Sequence, residues 1–494
     1  MAAASEGGRR RRQQQRLRVF FLPFFARGHL IPMTDLACHM AAARPANVEA
    51  TMVVTPANAA PIAATVARAA ASGHAVRVLR YPFPDVGLGP GVECLGAAAA
   101  EDTWRVYRAV DLSRTAHESL LLEHRPDAVV ADVAFWWATG IAADLGVPRL
   151  TFHPVGIFPQ LVLNSLVAAC SSIVYPGGPP LQVPLPGGKD HEQIAIPVAE
   201  LPDFLVRDDD HLAANWGRIK ASQLAGFGVV VNTFADLERP YHADLDARRA
   251  YLVGPVSIPT PDSPVHRGSD ADVDCLAWLS AKPAESVVYV CFGSWPSFST
   301  RQLRELALGL ETSNHPFLWV LGQCQDSSFF PDQDWEERVS GRGMVLRGWA
   351  PQLEVLAHPS VGAFLTHCGW NSVLEAASAG VPVLTWPLVF EQFINERLVA
   401  DVASFGSRVW GGGKRGVREE DAETVPAEAI ARAVAGFMED GGGERRREKA
   451  RELALRASAA VGENGSSWRD IRRLIDDLME ARASSGVPCD QERQ

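Results

Sequence analysis

The stretch "THCGWNSVLEAASAGVP", residues 366–382, gathers Thr366, His367, Gly369, Asn371 and Ser372 and adds a carboxylate at Glu375. An apolar strand-like run, "VGAFL", leads into it and a small-residue helix leads out, so the polar groups belong at a strand-to-helix corner. With the helix starting near Trp370 to Ser372, the first amides have no intrahelical partner and the helix dipole favours an anion there. Gly369 removes a side chain that would block close approach, Asn371 and Ser372 are neutral donors, and His367 can donate to a phosphate oxygen. Glu375, expected inside the first helical turn, can accept from a vicinal diol, as acidic residues do for ribose. Trp349 offers a face for a base, and Glu391 and Gln392 offer partners for sugar hydroxyls. Each residue alone has an ordinary explanation as an N-cap, a helix stop or a core aromatic. The ordered set reads as a nucleotide-sugar site.

A second group lies far away in sequence. His29 in "ARGHLIPM" follows the first apolar run, and Asp132 ends the strand-like "AVVAD". A histidine, with an ordinary pKa near 6.5, suits proton removal at neutral pH, and a carboxylate on its other nitrogen fixes the tautomer. Without further information, His29 reads more readily as a structural residue at a helix start, and Asp132 can be read as a helix N-cap.

The elements that must position these groups follow from the pattern. Short apolar runs alternate with helical segments from "VFFLPF" to "YLVGPV", and again from "SVVYVCFGS" to "VPVLTWP", which implies two parallel sheets covered on both faces. Between them "GPVSIPTPDSPVHRGSDADVD" is rich in Pro, Ser and Asp and reads as a linker. The expected division is a tail over 1–17, a first lobe over 18–255, a linker over 256–274 and a second lobe over 275–464. A helix over 465–485 is expected to pack back on the first lobe, before a tail over 486–494. Ligands of open α/β sheets bind beyond the carboxyl ends of the strands, so the cleft between the lobes is the expected active site.

Composition narrows the class. The chain has 494 residues, 47% apolar and 21% charged, with a formal net charge of -11, which argues against general nucleic-acid binding. Its eight cysteines, Cys38, Cys94, Cys170, Cys275, Cys291, Cys324, Cys368 and Cys489, form no CxxC pair and no zinc spacing; they read as reduced thiols of a cytoplasmic protein. No run is long enough for a membrane helix, and the basic "RRRRQQQRLRVFFLPFFA" start lacks a signal-peptide cleavage site. "DDD" at 208–210 reads as a surface loop rather than a metal site. An NAD-dependent oxidoreductase would need a GxGxxG turn after the first strand, where this chain has "PFFARGHL". A binding module without catalysis is the other alternative, and the joint presence of His29 and Asp132 argues against it.

Residues 349–392, "WAPQLEVLAHPSVGAFLTHCGWNSVLEAASAGVPVLTWPLVFEQ", resemble the signature box of plant family-one UDP-glycosyltransferases, in its opening Trp-Ala-Pro-Gln, its His-Cys-Gly-Trp-Asn-Ser centre, its closing Glu-Gln and its 44-residue length. "FFARGHLIPM", "PDAVVAD", "SVVYVCFGS" and the C-terminal helices extend the resemblance over nearly the whole chain. It implies a GT-B fold, two Rossmann-like doubly wound lobes facing across a cleft. It also implies uracil stacking on Trp349 beside Ala350 and Gln352, diphosphate binding by His367, Gly369, Asn371 and Ser372 with help from Ser294, and ribose binding by Glu375. Trp370, Glu391 and Gln392 would face the hexose, and a terminal Gln392 accompanies glucose where His accompanies galactose. His29 and Asp132 match the family's catalytic dyad.

The implied reaction is inverting and metal-independent, with UDP-glucose as co-substrate, no cofactor, and a monomeric enzyme. The acceptor is expected to be a flavonoid, another phenol or a terpenoid, bound by the first-lobe segments "YPFPDVGLGPG", "VAFWW" and "HPVGIFPQ". Two residues depart from the family pattern: Arg27 stands where a neutral residue or His is usual, and Pro154 stands where some members offer a hydroxyl to the sugar.

Overall fold

The computed structural model describes residues 16–169, 178–188, 192–205, 211–245, 249–262, 273–293, 298–322, 330–332, 334–411, 423–439 and 443–484. Ser294, Asp208 to Asp210, Cys170, Cys324, Cys489, most of the expected linker and nearly all of both tails lie outside them.

Branched and aromatic runs make the strands, and their burial on both faces explains why they lack a polar alternation. In the first lobe these are β1 (Leu17–Leu22), β2 (Val48–Val54), β3 (Val76–Arg80), β4 (Ala128–Asp132) and β5 (Arg149–His153). A small antiparallel hairpin, β6 (Leu181–Pro184) and β7 (Gln193–Ile196), precedes β8 (Gly228–Val231) and β9 (Ala250–Leu252). The main sheet has the order β3-β2-β1-β4-β5-β8-β9 with every pair parallel. The second lobe holds β10 (Val287–Cys291), β11 (Phe317–Leu321), β12 (Gly343–Arg347), β13 (Val361–Thr366), β14 (Val383–Thr385) and β15 (Gly406–Arg408). Its parallel order is β12-β11-β10-β13-β14-β15.

Both orders reverse direction at one place, between β1 and β4 in the first sheet and between β10 and β13 in the second. Successive connections leave such a pair towards opposite sides, opening a crevice at the carboxyl ends. The residues singled out above fall there. Helix α1 (Arg27–Ala43) follows β1 and carries His29 in its first turn, and Asp132 ends the adjacent β4. Helix α2 (Ile157–Ala169) follows β5. Helix α3 (Trp370–Ala379) follows β13, with Gly369 as its N-cap and Gly380 in the left-handed region closing it. Glu375 is the sixth residue of α3 and so sits in its second turn, correcting the expected first-turn position; with 3.6 residues per turn, the helix would have had to begin two residues later. Asp132 is no N-cap, because the next helix begins at Ala138; its Oδ1 accepts from the Ala134 amide at 3.1 Å and fastens the turn after β4.

The two lobes share apolar packing. Ile157 and Phe158 of α2 belong to the same buried cluster as Trp370, Leu374 and Ala377 of α3 and Ala450 and Leu453 of helix α4 (Glu444–Val461). Helix α5 (Ser466–Ser484) returns to the first lobe, where Ile471, Leu474, Ile475 and Leu478 join Leu36, Met40 and Tyr251. Its polar residues bind that lobe's backbone: Asp470 accepts from the Leu252 amide at 2.8 Å, and Ser467 donates to the Gly254 carbonyl at 2.5 Å.

A tight point between the lobes is Gly156, just before α2, where a Cβ would stand 2.4 Å from the Trp370 ring and 2.6 Å from Glu238 Oε1. Neither neighbour has room to move: Trp370 Nε1 donates to the Asn232 carbonyl at 2.7 Å, and the Glu238 carboxylate accepts from the Ile157 and Phe158 amides at 2.9 and 2.7 Å. Gly156→Ala is expected to cost about 1–3 kcal/mol, the range for overpacking a filled site. Urea unfolding against Gly140→Ala, where a Cβ meets nothing within 4 Å, checks this.

Candidate active site

His29 and Asp132 meet across the β1/β4 crevice, with His29 Nδ1 2.8 Å from Asp132 Oδ2. The carboxylate is fully buried, while the imidazole side chain keeps 28% exposure towards the cleft. A carboxylate only accepts, so Nδ1 carries the proton and the Nε2 lone pair is left for a substrate. Burial pulls the His29 pKa down, but the Asp132 charge and hydrogen bond outweigh it, with a smaller contribution from Glu391, and the net direction is up from 6.5. Phe24 flanks the imidazole with ring centroids 5.0 Å apart.

The opposite wall is built at the β10/β13 crevice. No side chain caps the start of α3, so its first amides remain open to the cleft. The His367 ring lies between two glycines: a Cβ on Gly293 would fall 2.8 Å from Cε1, and one on Gly369 would fall 2.6 Å from Nε2. Gly293 also has a φ of +78°, where a side chain would be strained. Burial pushes the His367 pKa down to about 4, so this histidine is neutral at physiological pH. Thr366 Oγ1 lies 3.2 Å from its Nδ1; with the hydroxyl donating, Nε2 carries the ring proton.

Gln352 ties the next layer together. Its Nε2 donates to Glu375 Oε2 at 2.6 Å and to Ser372 Oγ at 3.2 Å, and its Oε1 accepts from the Tyr289 hydroxyl at 3.3 Å. Glu375 and Ser372 are therefore held in fixed orientations, 6% and 8% exposed. Trp349 stands at the rim, 55% exposed, beside the buried Ala350.

Several expected ligands carry contacts that the sequence did not reveal. Asn371 Nδ2 donates to the Gly28 carbonyl at 2.7 Å, and its Oδ1 accepts from Asn232 Nδ2 at 3.2 Å, so this side chain bridges the lobes. The Trp370 indole N–H is spent on Asn232, and the ring packs on Gly156. The ring therefore forms a wall between the lobes, and what Trp370 leaves towards the cavity is its backbone at the helix start. Gln392 Oε1 accepts from the Leu388 and Val389 amides, both at 3.0 Å, so its amide nitrogen is the group left for a sugar. Burial raises the Glu391 pKa, partly offset by a hydrogen bond from its own backbone amide, then by the His29 charge and the Asn395 side chain.

One cavity of about 1030 Å³ joins these walls. On the first-lobe side it is lined by Val133 and Ala134 and by His153, Pro154, Val155 and Gln160, from two of the three segments expected for the acceptor. The third, "YPFPDVGLGPG", contributes nothing to it; residues 94–100 take that place, and the helix His211–Ala225 adds Trp216, Ile219, Lys220 and Gln223. Phe204 stacks on Trp216, centroids 5.3 Å apart. Asn232, at the carboxyl end of β8, was missed, although the strand-end rule that found Asp132 applies equally to "VVVNT".

Comparison with known proteins supplies the family. The model described as UDP-glucoronosyl and UDP-glucosyl transferase matches residues 263–411. An anthocyanin 3'-O-beta-glucosyltransferase of Gentiana triflora is 37% identical over 495 residues, covering 94% of this chain and 98% of the relative. The chain belongs to the UDP-glycosyltransferase family. Its architecture is that of the family's solved structures: Glycyrrhiza uralensis UGT73P12, complexed with glycyrrhetinic acid 3-O-monoglucuronide, aligns with a TM-score of 0.84 at 32% identity, over 94% of this chain and 96% of that one. Medicago truncatula UGT71G1, complexed with UDP-glucose, gives 0.77 at 26% identity, over 94% and 98%. The two facing Rossmann-like sheets are thus a GT-B fold, and this UDP-glycosyltransferase resembles plant enzymes of specialised metabolism along nearly all of its length.

The two site histidines should titrate far apart. In a proton NMR titration, His29 is expected to show a midpoint above 6.5 and His367 one near 4. Because the Asp132 charge favours the imidazolium, Asp132→Asn is expected to move the His29 midpoint down while leaving His367 unchanged.

Proposed function

We propose that this enzyme transfers glucose from UDP-glucose to a hydroxyl of a small apolar plant metabolite, a flavonoid, another phenol or a terpenoid, with inversion at the anomeric carbon. His29 is the general base, oriented by Asp132. As the acceptor oxygen forms its bond to the anomeric carbon, His29 Nε2 takes the hydroxyl proton, and the bond from that carbon to the UDP oxygen breaks with its electron pair leaving on UDP. Asp132 stabilises the imidazolium that results. Attack from the face opposite UDP turns the α-linked donor into a β-glucoside.

The observation that carries this reading is the 2.8 Å His29–Asp132 pair facing the uncapped start of α3 across one cavity. Trp349 takes the uracil beside Ala350 and Gln352, and Glu375 takes the ribose diol. The α3 amides, with Gly369, His367, Asn371 and Ser372, hold the diphosphate and make UDP a competent leaving group without a metal ion; Ser294 is assigned there as well. Glu391, the amide nitrogen of Gln392 and the backbone at Trp370 face the hexose. The glucose assignment is supported by Gln392 and by the glucosyltransferase named above; the acceptor class is supported by that relative's anthocyanin substrate and by the Phe204–Trp216 stack in the cavity wall.

His29→Ala is expected to lower kcat by roughly 10²–10⁴, the usual worth of general-base catalysis, with the Kd for UDP changed less than threefold. In the unaltered enzyme kcat/KM should fall as pH drops through the His29 pKa, because protonation removes the base. Hexose transfer to a panel of plant phenols and terpenols, with UDP-glucose and UDP-galactose compared and products weighed by mass spectrometry, tests the reading. Retention of full turnover in His29→Ala would contradict it.

A further inference from the structure

Arg27 and Gly28, two consecutive residues of the first lobe, touch the second lobe at the groups that the proposed function gives to the nucleotide. The Arg27 guanidinium carbon lies 4.9 Å from the centroid of the Trp349 ring, and the Gly28 carbonyl accepts from Asn371 Nδ2 at 2.7 Å. The first contact occupies a face of the aromatic assigned to uracil, and the second places the backbone next to Arg27 against the first turn of α3, where the diphosphate is assigned.

The charges around the cleft give these contacts a chemical meaning. A diphosphate brings several negative charges into a cavity already lined by Asp132, Glu375 and Glu391. The side chains assigned to it are uncharged: Asn371 and Ser372 are neutral, and burial keeps His367 neutral down to a pKa of about 4. The start of α3 contributes the equivalent of about half a positive charge. Among the described residues lining the cavity, Arg27 and Lys220 supply all the lysine and arginine side chains, and Lys220 stands with Trp216, Ile219 and Gln223 on the acceptor side. Arg27 makes no ion pair among the described residues, so its charge is not already committed to a carboxylate.

We propose that Arg27 is a diphosphate ligand of the nucleotide donor. In the free enzyme its guanidinium rests on Trp349; when the base takes the ring, the guanidinium turns towards the pyrophosphate oxygens, which its planar fork fits in a bidentate manner. The cation–π contact is worth little at an exposed site, so giving it up costs less than a charge-assisted pair returns. This inference rests on the reading of the cavity as a UDP-sugar site.

Calorimetric titration of wild type, Arg27→Ala and Arg27→Lys with uridine, UMP and UDP tests it. Arg27→Ala is expected to weaken UDP about tenfold or more, as loss of a charge-assisted hydrogen-bonded pair would. Uridine, which lacks phosphate, should bind the variant as well as or better than wild type. Arg27→Lys, keeping the charge but not the fork, should fall between, and UDP affinity should depend less on salt in Arg27→Ala. The proposal is overturned if uridine and UDP lose affinity by the same factor, which would confine Arg27 to the base site, or if UDP binds Arg27→Ala more tightly. Absence of UDP binding to wild type would remove the donor reading itself, and this inference with it, whereas UDP binding with an unaltered UDP-to-uridine ratio in Arg27→Ala removes only the role of Arg27.

Discussion

The start of α3 has two duties, and the rest of the structure depends on their coinciding. Its open amides give the second lobe a helix end whose dipole favours an anion, where the diphosphate is proposed. Its first two side chains also grip the first lobe: Trp370 over Gly156 and onto the Asn232 carbonyl, Asn371 onto the Gly28 carbonyl. Gly28 immediately precedes His29. The proposed proton acceptor and the proposed diphosphate cradle are therefore registered to each other through a joint only a few residues across, although they belong to separate sheets. Buried residues of α2, α3 and α4 fill in behind that joint with continuous apolar packing, and α5 returns the chain end to the first lobe.

The same topological rule is used twice. Each sheet reverses its strand order once, and each reversal opens a crevice at the carboxyl edge. At β1/β4 the crevice holds an imidazole kept basic by a buried carboxylate. At β10/β13 it holds an imidazole kept neutral by burial between two glycines. Two histidines thus have pKa values displaced in opposite directions, which suits the roles proposed for them, the first to accept a proton and the second to donate a hydrogen bond without competing for one.

The sheets were legible from sequence because their strands are short, branched and apolar and are separated by clear helical segments. That His29 and Asp132 meet was legible from their places after β1 and at the end of β4, while the catalytic reading of the pair came from the family resemblance. Contacts between distant segments left no such trace. Trp370 and Asn232 are 138 positions apart, and Asn371 and Gly28 are 343 apart; nothing in the local pattern announces either pairing. Glu375 fell in the second turn because the helix begins at Trp370, a boundary that residue types fix only to within two or so positions. The cavity wall from residues 94–100 was missed because small residues such as Gly96 and Ala97 to Ala100 carry no chemical signal of their own.

The central claim is that the base of one lobe reaches the reacting oxygen bound beside the diphosphate of the other. The most direct measurement is a structure of the enzyme with UDP and a phenolic acceptor bound together, read for the separation of His29 Nε2 from the acceptor hydroxyl. The account predicts direct hydrogen-bond contact, about 2.6–3.2 Å, or contact through a single water, with the diphosphate at the start of α3. An acceptor oxygen held beyond that reach, on the far side of Trp370 from His29, would contradict it.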